Sequence, residues 1–334
     1  MNKLFSLTLL AVMGVAGCAT DLEGDDQSDE DEIVTEARDK SKSPEKDLKN
    51  YPKLPAPASQ GLGITDDIAS SSDFSPTAEA TSAGSEDVYT VQMDGDGGGT
   101  ITIYTPPAGL TAKQLHGALE QQGVTGLHEL GGTSPLGVGA LAASTPSCRY
   151  GTASLYRCNY DDSTWSHQIH WANAGFEDPQ VYFIDHTGAN WPVDASTYQW
   201  NKTPNIDSIY RWNTCPSTSG LHCVQVTSAN EGNSCWMGYT SISFNSSYNI
   251  TKVKVRFNDY QGGGVCDGMS VTYRKNADGY RQTACHELGH ALGMGHNTAT
   301  SGSCLFGTNT NSSSMRLPSS QDHTLLAKLY AAAH

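Results

Sequence analysis

His286-Glu287-Leu288-Gly289-His290-Ala291-Leu292-Gly293-Met294-Gly295-His296 is the stretch from which the rest of this chain is read. At 3.6 residues per turn, His286 and His290 lie one turn apart on one face of a helix, so both imidazoles can reach a single ion. Glu287 is rotated from His286 by about 100°. That displaces it as a third ligand but leaves it within reach of a water on the metal. Gly293 lets the helix end in a left-handed turn, after which the chain doubles back and His296 can supply a third nitrogen. Three neutral nitrogens leave one catalytic Zn2+ with its full charge and an open position, where the pKa of a water falls towards about 7. A bare His-Glu-x-x-His arises by chance in roughly one in a hundred chains of this size, and requiring Gly293 and His296 lowers that about a thousandfold. The pattern is therefore taken as functional.

These residues resemble the zinc signature of the metzincin metallopeptidases. The resemblance implies an α+β catalytic domain over residues 148–334: a twisted mixed sheet, an active-site helix, and a small C-terminal subdomain with a Met-turn and a final helix. It implies zinc ligation by His286, His290 and His296, Glu287 as general base, and hydrolysis of peptide bonds within proteins. Met315, 19 residues past His296, is the candidate Met-turn. Asp322 and Tyr330 in the last helix lean towards the matrixins. Two positions depart from the familiar patterns. Asn297 follows the third histidine where those families carry Ser, Asp, Glu or Pro. Leu317 stands where astacin-like and serralysin-like enzymes have a metal-reaching Tyr. Matrixins hold latency with a propeptide cysteine on the zinc. Residues 19–147 contain no cysteine, so latency here would come from a carboxylate or from steric cover. The rival reading is a lipid-anchored surface binding or adhesion protein with a structural zinc, which would want a fourth protein ligand.

Working outward, Ser319–Tyr330 reads as a helix with a Ser/Asp capping box and an apolar stripe of Leu325, Leu326, Leu329 and Tyr330. Gln180–Asp185 and Lys252–Asn258 read as strands. Between them, Ala195–Trp212 is expected to supply a helix, interrupted at Pro204. Residues 87–132 read as a small, propeptide-like α/β domain. Val88–Met93 and Thr100–Tyr104 flank an Asp94–Gly99 turn, a hairpin signal. A helix follows behind Thr111 with Leu115 and Leu119 on one face, and Val124–Leu130 returns as a strand. The Asp94–Gly99 loop is read as a plain turn. A calcium loop of the EF-hand kind needs Glu at its twelfth position, and Thr105 stands there. His128-Glu129 imitates half of a zinc motif, but Gly132 replaces the second histidine. His167 and His170, three apart, are read as packing residues rather than a second zinc site.

Nine cysteines divide into Cys18 and a later group: Cys148, Cys158, Cys215, Cys223, Cys235, Cys266, Cys285 and Cys304. Eight in an exported chain read as four disulfides, whose pairing sequence does not fix; short spacing suggests Cys148–Cys158 and Cys215–Cys223. Cys285 points away from the ligand face and is expected in a disulfide. Asp259 and Asp267, flanking Gly262–Gly264, border a candidate Ca2+ loop.

At the N-terminus, Lys3 precedes the largely apolar Leu4–Ala16, too short to span a bilayer and suited to a signal segment. Val15-Ala16-Gly17-Cys18 resembles a bacterial lipobox. That implies a lipoprotein signal peptide over residues 1–18 ending at a lipidated Cys18, which becomes the mature N-terminus, and anchoring to a bacterial membrane, the outer one if there are two. Residues 19–86 read as an acidic, Ser/Pro-rich disordered tether and 133–147 as a linker. Cleavage in that linker would release the domain outside the cell. The net charge of -15 lies almost wholly in residues 21–147; residues 148–334 carry 12 bases and 13 acids. The expected partners are protein or peptide substrates, with the membrane reached only through the lipid. Nucleic acid is excluded by the absence of a basic excess.

Overall fold

The computed structural model describes residues 88–129 except 96, 148–149, 157–158, 169–296 except 213 and 274–276, 302–306, and 315–332. The signal segment, Cys18, the tether, the 133–147 linker and His167 lie outside the described residues. All described residues fall within one compact unit.

The fold is α+β. Eight strands form one mixed sheet in the order β3-β1-β2-β9-β10-β8-β6-β7. They are β1 (Val88–Met93), β2 (Gly99–Thr105), β3 (Leu127–Glu129), β6 (Gln180–His186), β7 (Asp207–Trp212), β8 (His222–Ala229), β9 (Gly238–Phe244) and β10 (Ile250–Asn258). β7, β6, β8 and β10 run parallel, whereas β9, β2, β1 and β3 pair antiparallel in succession. The expected hairpin is β1–β2, with Val88 opposite Tyr104. It continues the same sheet: Thr105 of β2 lies opposite Gly238 of β9, and Gly99 opposite Phe244. Two smaller ribbons are β4 (Cys148–Arg149) with β5 (Arg157–Cys158), and β11 (Gly263–Cys266) with β12 (Met269–Thr272).

Among the described residues, four helices accompany the sheet: α1 (Ala112–Gln121), α2 (Val193–Trp200), α3 (Ala277–Ala291) and α4 (Ser320–Ala332). α2 corrects the expectation for Ala195–Trp212. The helix stops at Trp200, and Asp207–Trp212 is a parallel strand at the sheet's edge with Ser208, Ile209 and Tyr210 buried; its run of Ile, Tyr and Trp suits a sheet better than a helix. The main core lies between sheet and helices. Val181, Phe183, Val224, Val226, Val253, Val255 and Phe257 meet Ala284, Leu288 and Leu292, with Trp191 stacked on Phe257 at 4.0 Å. Ile101 and Ile103 of β2 belong to this core. A second cluster packs Leu110, Leu115, Ala118 and Leu119 of the α1 region on Trp236, Met237, Val271 and Tyr273.

The capping expectations hold. At α1, the Thr111 hydroxyl accepts from Gln114 N–H and the Gln114 side chain accepts from Thr111 N–H. At α4, Ser319 and Asp322 make the same reciprocal pair.

Disulfides join Cys215 to Cys223, Cys235 to Cys266 and Cys285 to Cys304, with Cα separations of 6.0, 5.7 and 5.9 Å. The β4–β5 register sets Cys148 opposite Cys158. Among the described residues, Asp259 and Asp267 of the candidate Ca2+ loop belong to no group of three or more His, Cys, Asp or Glu side chains. Asp259 accepts the indole N–H of Trp191 at 2.7 Å, and Asp267 sits in the β11–β12 turn, where it accepts from Gln121. The two carboxylates are thus engaged by α1 and by the Trp191 loop, and among the described residues they gather with no third ligand.

Candidate metal centre

The metal helix α3 is buried on nearly every side from Gly279 to Ala291. Gly289 makes the close packing possible: a Cβ there would stand 2.6 Å from Cζ2 of Trp200 and 2.7 Å from Cδ2 of Leu305. The Trp200 indole N–H donates to the Cys285 carbonyl at 2.9 Å. The helix ends as the sequence predicts. Gly293 has φ +91°, its N–H donates to His290 O, and Met294 N–H donates to Gly289 O. That is the paired closure of a left-handed helix terminus, and it turns the chain so that His296 comes back to His286.

The three histidines converge. Nε2 of His286 lies 2.9 Å from Nε2 of His290 and 2.8 Å from Nε2 of His296. All three residues are at most 3% exposed. Nδ1 of His286 donates to the Cys304 carbonyl at 2.8 Å and Nδ1 of His290 to the Met294 carbonyl at 2.9 Å. Those bonds place the protons on Nδ1 and turn the Nε2 lone pairs towards one another. Burial depresses the pKa values, His286 to about 4, His296 to about 3 and His290 well below its ordinary value, so protons do not neutralise this clash near neutral pH. A cation would, and the donor set fits one. Two nitrogens on a tetrahedral Zn2+ stand about 3.3 Å apart, a few tenths of an ångström wider than found here. Among the described residues no fourth His, Cys, Asp or Glu joins the group.

Glu287 faces the sheet. Its Oε2 accepts from the Thr240 hydroxyl of β9 at 2.6 Å, and its Oε1 from the Thr105 hydroxyl of β2 at 2.6 Å. The Thr240 hydroxyl also reaches the Glu287 carbonyl at 3.0 Å. Gly238 leaves room for the carboxylate, since a Cβ there would stand 2.7 Å from Oε1. The carboxyl is fully buried, and burial pushes its pKa up to about 8 against the two hydroxyl donors, which pull it down.

Met315 is 7% exposed and its sulfur accepts from the Gln282 amide of α3 at 3.4 Å. Next to it, Arg316 bonds Asp278 in the first turn of α3 at 3.2 Å, and Leu317 is 49% exposed. Asp322 takes the Ser303 hydroxyl at 2.6 Å, which steadies the loop whose Cys304 carbonyl orients His286. His170 N–H donates to the Tyr248 carbonyl, and its carbonyl accepts from Ile250 N–H.

Thr105, Thr240 and Gly238 were not singled out as site residues from sequence. Thr105 lies 182 positions from Glu287, and nothing local marks it. Thr240 does leave a trace: it is a hydroxyl on the inward face of an alternating Gly-Tyr-Thr-Ser-Ile-Ser-Phe strand whose other inward residues are Ile242 and Phe244. Comparison of the chain with protein-family models, curated proteins and solved structures finds no match.

Proposed function

We propose that the chain is a zinc-dependent endopeptidase of the metzincin type, exported and anchored through Cys18. The observation that carries this reading is the meeting of three buried imidazole nitrogens beside a carboxylate, Glu287, held by hydroxyls alone. His286, His290 and His296 would hold the ion. Zn2+ bound there would supply Lewis acidity for a developing oxyanion and for acidifying a water. Three ligands without a fourth among the described residues favour this over a closed structural site.

The chain's own residues have separable tasks. The Cys304 and Met294 carbonyls fix the imidazole tautomers. Glu287 accepts a proton from the attacking water and later delivers it to the leaving amine. Thr240 keeps Oε2 in place during both transfers. Met315 supplies an apolar wall below α3, steadied by Gln282. The three described disulfides fit an oxidising compartment, in keeping with export.

The test is hydrolysis of casein and quenched peptides by the zinc-loaded chain. Glu287→Ala should lose activity by a factor of about a hundred or more and keep one zinc per chain, whereas His290→Ala should lose most of its zinc. A Glu287→Ala variant that cleaves like its parent sinks the mechanism.

A further inference from the structure

We propose that β2 is an intramolecular plug: it fills the β9 edge beside Glu287, and its Thr105 hydroxyl ties up Glu287 Oε1, so the chain stays latent until β2 leaves. This rests on the peptidase reading above. An enzyme acting on protein chains must admit an extended backbone beside its reacting groups, and an exposed strand edge is the usual way to hold one. β9 is the strand that carries Gly238 and Thr240 against Glu287, so its free edge is the edge that matters. Here β2 pairs along its full length, residue by residue from Gly99 to Thr105. The seal extends past the strand, where Met237 N–H donates to the Thr105 carbonyl at 2.8 Å. Glu287 is left with no exposure and with hydroxyls on both oxygens, one from each strand.

The seam is also built to part. Its outer face consists of hydroxyl pairs, Thr100 with Ser243 and Thr102 with Ser241, each at 3.0 Å. If β2 left, the outer face of β9 would present Tyr239, Ser241 and Ser243 to water, whereas Ile242 and Phe244 on its inner face would lose their β2 neighbours. No cysteine occurs between residues 19 and 147, so no disulfide can bolt the β1–β2–α1 module down. Apart from the chain itself, the module is held by non-covalent contacts: the β2–β9 ladder with its hydroxyl pairs and the Met237–Thr105 backbone bond, the inward Ile101 and Ile103, α1 on Trp236, Met237 and Tyr273, and the Thr105 hydrogen bond to Glu287. One cut between the module and α3 would leave only those contacts. The sequence has already removed the cysteine route to latency, and this arrangement is the steric alternative with a hydrogen-bonding latch.

The experiment compares the zinc-loaded full chain with Thr105→Val and with the double variant Ile101→Asp/Ile103→Asp. It reads quenched-peptide hydrolysis, zinc content and amide hydrogen exchange across Tyr239–Phe244. The double variant should vacate the edge, speed exchange in β9 and raise hydrolysis. Thr105→Val keeps shape and apolar burial, so it guards against misfolding of the double variant; it should raise hydrolysis by up to about tenfold, the worth of one hydrogen bond to a carboxylate. Both should keep one zinc. Equal hydrolysis by all three chains, with faster β9 exchange in the double variant, overturns the plug and leaves the peptidase standing. Slower hydrolysis by Thr105→Val also overturns it, since Thr105 would then serve the working site. No hydrolysis by any chain, with zinc bound and the β9 edge exchanging freely, overturns both readings together.

Discussion

Gly293 and Gly289 sit in the same eleven-residue motif and are needed for different reasons. Gly293 holds φ +91°, and a Cβ there would stand 2.7 Å from the Ile169 carbonyl. Gly293→Ala should therefore lower stability by about 1–3 kcal/mol, from left-handed strain plus a backbone collision. Because this turn returns His296 to the site, zinc affinity should fall as well. Thermal unfolding and competition with a chelating dye measure the two effects. An alanine variant with unchanged melting temperature and affinity would show that the turn does not need glycine. Gly293 was legible because a helix must stop before a third ligand can return. Gly289 was not: its requirement comes from Trp200 and Leu305, which are brought to the helix from 89 positions before and 16 after.

At the scale of elements, α3 is fastened to the 302–306 loop by Cys285–Cys304, and the carbonyl of the same Cys304 accepts from His286 Nδ1. Removing the bridge by Cys285→Ala/Cys304→Ala should cost about 3 kcal/mol of stability through the freed loop. It should also weaken zinc binding by roughly tenfold, because the group orienting a ligand becomes free to wander. A loss of stability with unchanged zinc affinity would separate the bridge from ligand positioning. The spacing of Cys285 one residue before His286 made a disulfide legible; its partner was not, since eight cysteines allow too many pairings. Elements with local signals were readable in the same way: the β1–β2 hairpin, the Thr111 cap, the Ser319/Asp322 capping box, β6, β10 and α4. The strands β7, β8 and β9 were missed or misread, because their burial comes from neighbours distant in sequence. Asp207–Trp212 joins β6 and becomes a strand through tertiary pairing. The site divides along the same line. Two of its candidate ligands share one helix and the third follows five residues past its end, so they were legible; the hydroxyls on Glu287 come from two strands joined only by folding.

For the whole molecule, the -15 charge lies outside the metal-binding portion, so bulk acidity says little about how that portion responds to pH. Buried histidines decide it. His323 of α4 is 8% exposed, with Nδ1 2.7 Å from the Thr203 hydroxyl, and burial pushes its pKa down to about 4, Lys202 adding to the effect and Asp322 opposing it. Its ordinary value is 6.5. A lowered folded-state pKa means that the unfolded chain binds this proton more readily. The resulting stability is complete above about pH 6.5 and is lost as pH falls towards 4. In the zinc-free chain the three ligand histidines act in the same direction, while Glu287, with its raised value, acts in the opposite one between about pH 4.5 and 8. Zinc leaves the histidines of the unfolded chain free to titrate, so these contributions persist; comparing the zinc-saturated parent with a His323 variant cancels them and isolates His323. His323→Gln keeps a hydrogen-bonding group for Thr203 and cannot titrate. Between pH 7 and 5, the zinc-saturated parent should lose stability that the variant retains, a difference on the order of 2 kcal/mol. Denaturant unfolding at pH 7, 6 and 5 measures it. Parallel losses in parent and variant would assign the acid sensitivity to other groups, and a variant that loses more stability than the parent between pH 7 and pH 5 would reverse the sign argued for His323.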